Sequence, residues 1–368
     1  MAGLRIKIPL AAAGILFYAT FGSQVAQATL YTQTNLVSNG FVPATTIDPQ
    51  LQAPWGISFT TTGPFWVSDN NNNLSTLYNT TGSKLGLVVS VDSPTGQVSN
   101  SDTAGFNVGT TGTAKFIFAG SDGTVSAWNG VAPSVGGISP SSVVFTGPAG
   151  ASYTGLTQGS VGGSTYLYAA NAGSNPGVLV LDSNFHPATL AGSFTDPSLP
   201  AGYVPFNTQI LNGHLYVAYS NFTTNTGAVA EFDLSGNFIK QVAIGGPLQQ
   251  PWALDIAPGQ FGQYSNDLLV GDLLNGMIDV YNPTTGAFLG QLDGTDGNPI
   301  TDVGLWALIN GNGGTGGSVN SVYFDAEGAS GVDGVFGSLT AVPEPNSIML
   351  FATGLFALAL VRRRRARG

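Results

Sequence analysis

Six apolar runs, each closing on an Asp or Asn, recur along this chain at nearly constant spacing. They are Phe65-Trp66-Val67-Ser68-Asp69, Phe116 to Asp122, Leu167-Tyr168-Ala169-Ala170-Asn171, Leu215 to Asn221, Leu268-Leu269-Val270-Gly271-Asp272 and Val322-Tyr323-Phe324-Asp325. Their terminal positions step by 53, 49, 50, 51 and 53 residues. A second apolar run follows in register, as in Gly123 to Asn129, Gly177 to Asp182, Gly227 to Asp233 and Gly276 to Asn282; the first copy is Ser75 to Asn79. Each unit opens with a run of its own: Pro54-Trp55-Gly56-Ile57, Tyr153 to Leu156, Phe206 to Ile210, Pro251 to Leu254 and Gly304 to Leu308. In the second unit the opening falls near Ala104 to Val108. Short runs with period-2 alternation, separated by Gly and Asn, are strands and turns.

Four short strands cannot bury both faces of one small sheet, so neighbouring units must supply the core. The fold expected is therefore all-β, a six-bladed β-propeller with four-stranded blades over residues 29–341. Tyr31 to Val37 is a further β-rich run, expected to pair with Val335 to Leu339 and close the ring, which removes the sheet edges. An open solenoid is the rival, and the closing strand argues against it.

The body between residues 29 and 341 holds nineteen acidic side chains against three basic ones, Lys84, Lys115 and Lys240, a net charge of −16. Such a surface repels nucleic acid and anionic lipid and favours cations or basic partners. With 8% charged and 43% hydrophobic residues the chain is not disordered. The absence of cysteine excludes disulfides, thiolate metal sites and a cysteine nucleophile.

Both ends carry signals. Arg5 and Lys7, the apolar Ile8 to Phe21, and Ala26-Gln27-Ala28 have the order of a secretory signal peptide, residues 1–28. At the other end, residues 342–368, Val342-Pro343-Glu344-Pro345 cannot continue a helix or a sheet ladder. Asn346 to Val361 is uncharged, and Arg362, Arg363, Arg364, Arg365 and Arg367 follow. Sixteen helical residues span roughly 24 Å, short of the ~30 Å hydrocarbon layer, so a C-terminal membrane helix here requires thinning or snorkelling. The arginines hold its end on the cytoplasmic side.

This ending resembles the PEP-CTERM sorting tag of Gram-negative bacteria, in which Pro-Glu-Pro precedes a membrane helix and a basic end. The resemblance implies an exosortase as processing partner, transient membrane anchoring, and delivery to the cell surface or an extracellular matrix. The body is similar to a family of secreted bacterial NHL-like propellers that often carry this tag. The likeness rests on Tyr31 to Val37, Pro54 to Ile57, Gly63 to Asn70, Pro94-Thr95-Gly96-Gln97-Val98, Leu199 to Tyr203 and Gly304-Leu305-Trp306. It implies six blades and no agreed catalytic set. The Arg-Ile pair that ordinarily follows the Asp of an NHL repeat is missing, so NHL partner-binding modes do not carry over.

In a propeller the turns between second and third strands share one side with the connections between blades. Asp69, Asp122, Asn171, Asn221, Asp272 and Asp325 should therefore ring that side, joined by Asp48, Asp102, Asp196, Asp293, Asp296 and Asp302, giving an acidic face at the channel mouth suited to a ligand or hard cation. An Asx turn that satisfies its own backbone explains an Asp or Asn at a strand end equally, and recurrence in every blade favours the turn. Calcium is the one cofactor the pattern admits, with Asp69 and Asp272 as candidate ligands; Asp293 to Asn298 lacks the ligand order of a calcium loop.

His214, after the Asn212-Gly213 hairpin turn, and His186 belong to the opposite side, so a Ser-His-Asp relay with those aspartates would have to cross the ring. Trp55, Trp252 and Trp306 hold equivalent positions on innermost strands, where interblade packing is the first role and sugar stacking the second. No phosphate loop, zinc spacing or nucleotide fingerprint is present. The functional expectation is a surface or matrix binding protein whose acidic face takes a ligand, an extracellular polysaccharide or a surface protein. The alternative is a calcium-dependent lactonase-like or phosphoester hydrolase, against which counts the scarcity of glutamate: the body has only Glu231 and Glu327.

Overall fold

The computed structural model describes residues 29–131 and 137–343. Residues 1–28, where a signal peptide is expected, and most of the sorting tag, including Glu344, Pro345 and Arg362 to Arg365, lie outside the described residues. No helix among the described residues is long and apolar enough to cross a membrane.

Each repeat folds as its own antiparallel sheet, and there are six. Blade 1 is Pro54–Ser58, Phe65–Asp69, Leu74–Tyr78 and Lys84–Ser90; blade 2 is Pro94–Ser99, Phe116–Gly120, Thr124–Trp128 and Ser142–Thr146. Blade 3 has Tyr153–Val161, Ser164–Asn171 and Gly177–Leu181, with a single bridge from Leu181 to Pro187 where a fourth strand would start. Blade 4 is Val204–Leu211, His214–Asn221, Thr226–Phe232 and Phe238–Ile244; blade 5 is Pro251–Ile256, Leu268–Asp272, Ile278–Tyr281 and Phe288–Gln291. Blade 6 takes Leu305–Asn310, Ser321–Ala326 and Val335–Ala341 from one end of the body and Tyr31–Ser38 from the other.

The closing strand pairs as the sequence led one to expect, Tyr31 opposite Ala341 and Ser38 opposite Val335. Its tyrosine is fully buried and donates its hydroxyl to the Phe261 carbonyl of blade 5 at 3.0 Å. Short parallel strands cover two outer edges, Ile138–Pro140 on blade 1 and Thr46–Ile47 on blade 6.

Among the described residues the buried side chains form six clusters, one at each junction between neighbouring blades. At the junction of blades 1 and 2, Trp66 stacks on Phe116 at 3.8 Å between ring centres; at that of blades 6 and 1, Phe65 meets Phe336 at 4.9 Å. No blade owns a core, which is why one unit cannot fold alone.

One expectation fails. The first strand of blade 2 is Pro94–Ser99, and residues 104–108 belong to the long connection after it. Phe106, whose burial resembles a strand residue's, has φ +56° and anchors that connection against Phe185, ring centres 5.2 Å apart.

Candidate functional site

The ladder between first and second strands slips at the same place in every blade. The shifts fall between Pro54 and Gly56, Pro94 and Gln97, Tyr153 and Gly155, Pro205 and Asn207, Pro251 and Ala253, and Leu305 and Ala307. Each bulge frees a residue from the ladder and re-aims its side chain. The freed residues are Trp55, Thr95 with Gly96, Thr154, Phe206, Trp252 and Trp306.

The four aromatic ones meet at the axis. Trp55 stacks on Trp306 at 3.8 Å, Trp252 meets Trp306 edge-on at 5.9 Å, and Phe206 meets it at 5.6 Å. Hydrogen bonds tie the bulges across blades: Thr95 Oγ1 donates to Tyr153 O at 2.7 Å, Thr154 Oγ1 to Phe206 O at 2.7 Å, Trp252 Nε1 to Thr154 O at 2.9 Å and Asn207 Nδ2 to Trp252 O at 2.8 Å.

Below this cap the channel is nearly closed. First-strand residues of all six blades, among them Ile57, Gln97, Leu156, Gln209, Leu254 and Leu308, enclose about 30 Å³, room for about two waters. A Cβ on Gly96 would come within 2.4 Å of Leu156 N, so the inner strands approach this closely only because that position is glycine. Above the cap, Ala172 and Leu273 pack on the aromatic cluster, and Phe222, 48% exposed, stands at 5.1 Å from Phe206. Each of these three is the first residue after its blade's second strand. Glu327 is the carboxylate at this cap; it accepts from Trp55 Nε1 at 3.2 Å, and burial raises its pKa.

The strand-terminal residues divide into two classes. Asn171, Asn221 and Asp122 serve their own turns: Asn171 Oδ1 accepts from Ser152 N and Gly173 N, Asn221 Oδ1 from Thr223 N and Thr224 N, and Asp122 Oδ1 from Thr124 N. Asp69, Asp272 and Asp325 are fully buried. Their carboxyls, being buried, do not line the mouth as expected; at the cap the aromatic cluster has Glu327 as its carboxylate. Asp325 Oδ1 accepts from Ala307 N at 2.9 Å, the amide that follows the bulged Trp306. Asp69 Oδ2 lies 2.7 Å from Thr76 Oγ1.

Asp272 has Asp279 as neighbour, at the third-strand position that Thr76 takes in blade 1. Burial pushes the pKa values of Asp69 and Asp325 well above the carboxylate range; burial, then repulsion from Asp279, takes Asp272 to about 8. Asp255, buried in blade 5, also reaches about 8.

The remaining acids are scattered. Asp102 follows the first strand of blade 2 and so lies on the opposite side from the one expected. Asp48 sits between the outer strands of blades 6 and 1, 2.7 Å from Lys84 Nζ; burial would raise its pKa, but hydrogen bonds from Lys84 and Tyr78 outweigh that and lower it. Asp196 holds Gln241 on the outer strand of blade 4 at 2.8 Å. Asp293 and Asp296 belong to a turn folded beside Tyr31, whose N–H donates to Asp293 O at 2.8 Å. Asp302, raised to about 6 by burial against the Gln33 hydrogen bond, stays on the expected side, its N–H bonded to Gly276 O.

Among the described residues no three His, Asp or Glu side chains converge as a metal site would require. His214 opens the second strand of blade 4, on the side expected, and its Nδ1 contacts Glu231, which Lys240 approaches to 3.3 Å.

The bulged cap is what sequence reasoning missed; the recurrent small or aromatic residue near the start of each first strand, one place in for five blades and two places in for blade 4, was its signal.

Residues 341–365 match the PEP-CTERM protein-sorting motif. The chain is 28% identical over 327 residues to an uncharacterized protein of Acanthamoeba polyphaga mimivirus, covering 83% of this chain and 78% of that one. A second uncharacterized protein of that virus is 27% identical over 347 residues, 88% of this chain and 89% of the relative. Among solved structures, the PQQ-bound aldose sugar dehydrogenase of Streptomyces coelicolor superposes with a TM-score of 0.52 at 14% identity, covering 86% of this chain and 99% of that one, a likeness of fold alone. The chain is thus a six-bladed β-propeller carrying a PEP-CTERM motif, which marks it for export and for sorting to the cell surface by an exosortase.

Proposed function

We propose that this protein is a cell-surface or extracellular-matrix binding protein whose working surface is the propeller side bearing the bulged cap. The observation that carries this reading is the cap above a channel of about 30 Å³. A channel that small admits no organic substrate, so a ligand must be met on the face. There Trp55 and the exposed Phe222 offer apolar contact, while Asn71, Asn73, Thr223 and Gln249 offer amides and hydroxyls at exposed positions. Aromatic surface beside uncharged polar groups suits an extracellular polysaccharide. In this reading residues 1–28 are removed on export, 29–341 act, and the tag in 342–368 anchors the chain through Asn346 to Val361 until it is sorted.

A calcium-dependent hydrolase needs converging carboxylates, and the burial of Asp69 and Asp272 in separate blades weighs against it. The test is equilibrium binding of purified 29–341 to polysaccharide extracted from the producing cells. Binding lost in Phe222→Ser, with the unfolding curve unchanged, is the expected result. Equal binding by that variant, or lactone or phosphoester turnover abolished by Asp272→Ala, would overturn it.

A further inference from the structure

Asparagine is followed by glycine at six places in the chain, Asn39, Asn129, Asn212, Asn275, Asn310 and Asn312. Glycine leaves its main-chain nitrogen unshielded, because no Cβ stands beside it. That nitrogen can attack the side-chain amide carbon of the asparagine and close a five-membered imide, provided both groups are free to meet.

At five of the six places they are held apart. Asn310 Nδ2 donates to Ile256 O at 2.7 Å and Gly311 N to Ser321 O at 3.1 Å. Asn312 Nδ2 donates to Gly63 O at 2.8 Å, its Oδ1 accepts from Gly314 N at 2.9 Å, and Gly313 N donates to Gly317 O at 2.8 Å. Asn275 Oδ1 accepts from Met277 N at 2.9 Å, and Gly276 N donates to Asp272 O at 3.0 Å. Asn39 Oδ1 accepts from Phe41 N at 3.3 Å, and Gly40 N donates to Ser38 Oγ at 3.1 Å. Asn129 is tied through Nδ2 to Thr111 Oγ1 at 2.6 Å. All five asparagines are half-buried.

Asn212 differs on each count. With Gly213 it makes the two-residue turn between the first and second strands of blade 4, where Leu211 pairs with His214, and the two take φ values of +50° and +82°. Both are exposed. Among the described residues neither the Asn212 side chain nor the Gly213 N–H has a hydrogen-bond partner. A Cβ placed on Gly213 would meet nothing within 4 Å, so the space around the pair is open.

We propose that Asn212 is a site of spontaneous covalent modification, converted through a cyclic imide to isoaspartate and aspartate. Gly213 N gives its proton to solvent and bonds to Asn212 Cγ. The bond from Cγ to Nδ2 breaks, and Nδ2 takes up a proton and leaves as ammonia. Water then opens the ring. Attack at the main-chain carbonyl carbon leaves the chain running through Cγ, as isoaspartate; attack at Cγ gives aspartate. Either product puts a carboxylate two places before His214, whose Nδ1 contacts Glu231. Isoaspartate also adds a methylene to the main chain at a turn whose length sets the register of the two strands. The turn lies on the side away from the cap, so the inference stands apart from the binding role proposed above.

The test is to hold the folded full chain, purified in detergent, at mildly alkaline pH for some weeks. Peptide mapping by mass spectrometry then gives the converted fraction at each of the six places. Conversion at Asn212 about tenfold faster than at any other is expected, the factor to which one or two hydrogen bonds that must first break amount. Isoaspartate should be among the products, since direct hydrolysis of the amide yields aspartate alone. In guanidinium chloride, with those bonds gone, the six rates should converge. Asn212 reacting no faster than the others in the folded chain, or reacting to aspartate without isoaspartate, overturns the proposal. Rates that stay as far apart in denaturant overturn its structural basis.

Discussion

Thr76 Oγ1 lies 2.7 Å from the carboxyl of Asp69, a side chain wholly out of contact with solvent. The same hydroxyl lies 3.1 Å from Tyr78 Oη, and Tyr78 is 2.6 Å from Asp48 Oδ2, which pairs with Lys84. Three oxygen-to-oxygen contacts need three protons, and the two hydroxyls supply only two. Asp48 is held ionised by its lysine, so the third proton is on Asp69. Burial alone drives Asp69 the same way.

A neutral Asp69 is mimicked by an amide. Asp69→Asn is expected to cost less than about 1 kcal/mol, whereas Thr76→Val, which leaves a buried acid unpartnered, should cost about 1–3 kcal/mol. Urea unfolding of both variants is the check; the larger loss in Asp69→Asn would refute the proton count.

Stability should fall as the solution becomes alkaline. In the unfolded chain carboxyls titrate near 4; folded, Asp255 and Asp272 keep their protons to about 8. Between about 4 and about 8 the native state therefore binds more protons than the unfolded one, and stability drops as pH rises through that window. Asp48, with its lowered pKa, acts the other way, its contribution being lost only under acid conditions, as pH falls below the unfolded value. Calorimetry should give a Tm at pH 5 several degrees above that at pH 8.5, a gap that Asp255→Asn narrows. A Tm that climbs with pH would contradict this.

Deleting residues 29–38 should abolish cooperative unfolding. That strand buries Tyr31, Leu36 and Val37, at roughly 1.5–3 kcal/mol each. The total is comparable with the whole stability of an ordinary domain. A truncated body that still melts in one sharp transition would mean that the ring does not depend on this closure.

Two residues of the cap should separate fold from recognition. Trp306, 3% exposed and touched by Trp55, Trp252 and Phe206, is expected to cost about 3–5 kcal/mol as Trp306→Ala. Phe222→Ser, at a half-exposed position, should change stability by about 0.5 kcal/mol or less. Thermal melts of the pair decide whether the cap is built as inferred.

Stopping the chain after Ala341 should leave the unfolding curve of the body unchanged while releasing it from cells that retain the full chain. Fractionation followed by immunoblotting reads this directly; retention of the shortened chain would count against the sorting role of 342–368.

The repeat was legible because strand alternation and a terminal Asp or Asn are local signals, carried by five or six residues each. The first strand of blade 2 is not legible in this way because it is held by polar bonds: Gln97 Nε2 donates to Gly56 O and Trp66 O, and Thr95 Oγ1 donates to Tyr153 O. Pro94 to Ser99 consequently lacks the apolar pattern of its counterparts, while Phe106 supplies a misleading one.

Chain order alone determined six units, the pairing of Tyr31 with the last repeat, and the tag at the end, since each follows from residue types at fixed intervals. Whether a carboxyl at a strand end caps its own turn or turns inward was decided only in three dimensions. That choice depends on what the neighbouring strand offers: for Asp122 a nearby amide of its own turn, for Asp69 a buried hydroxyl, and for Asp325 the amide left free by a bulge.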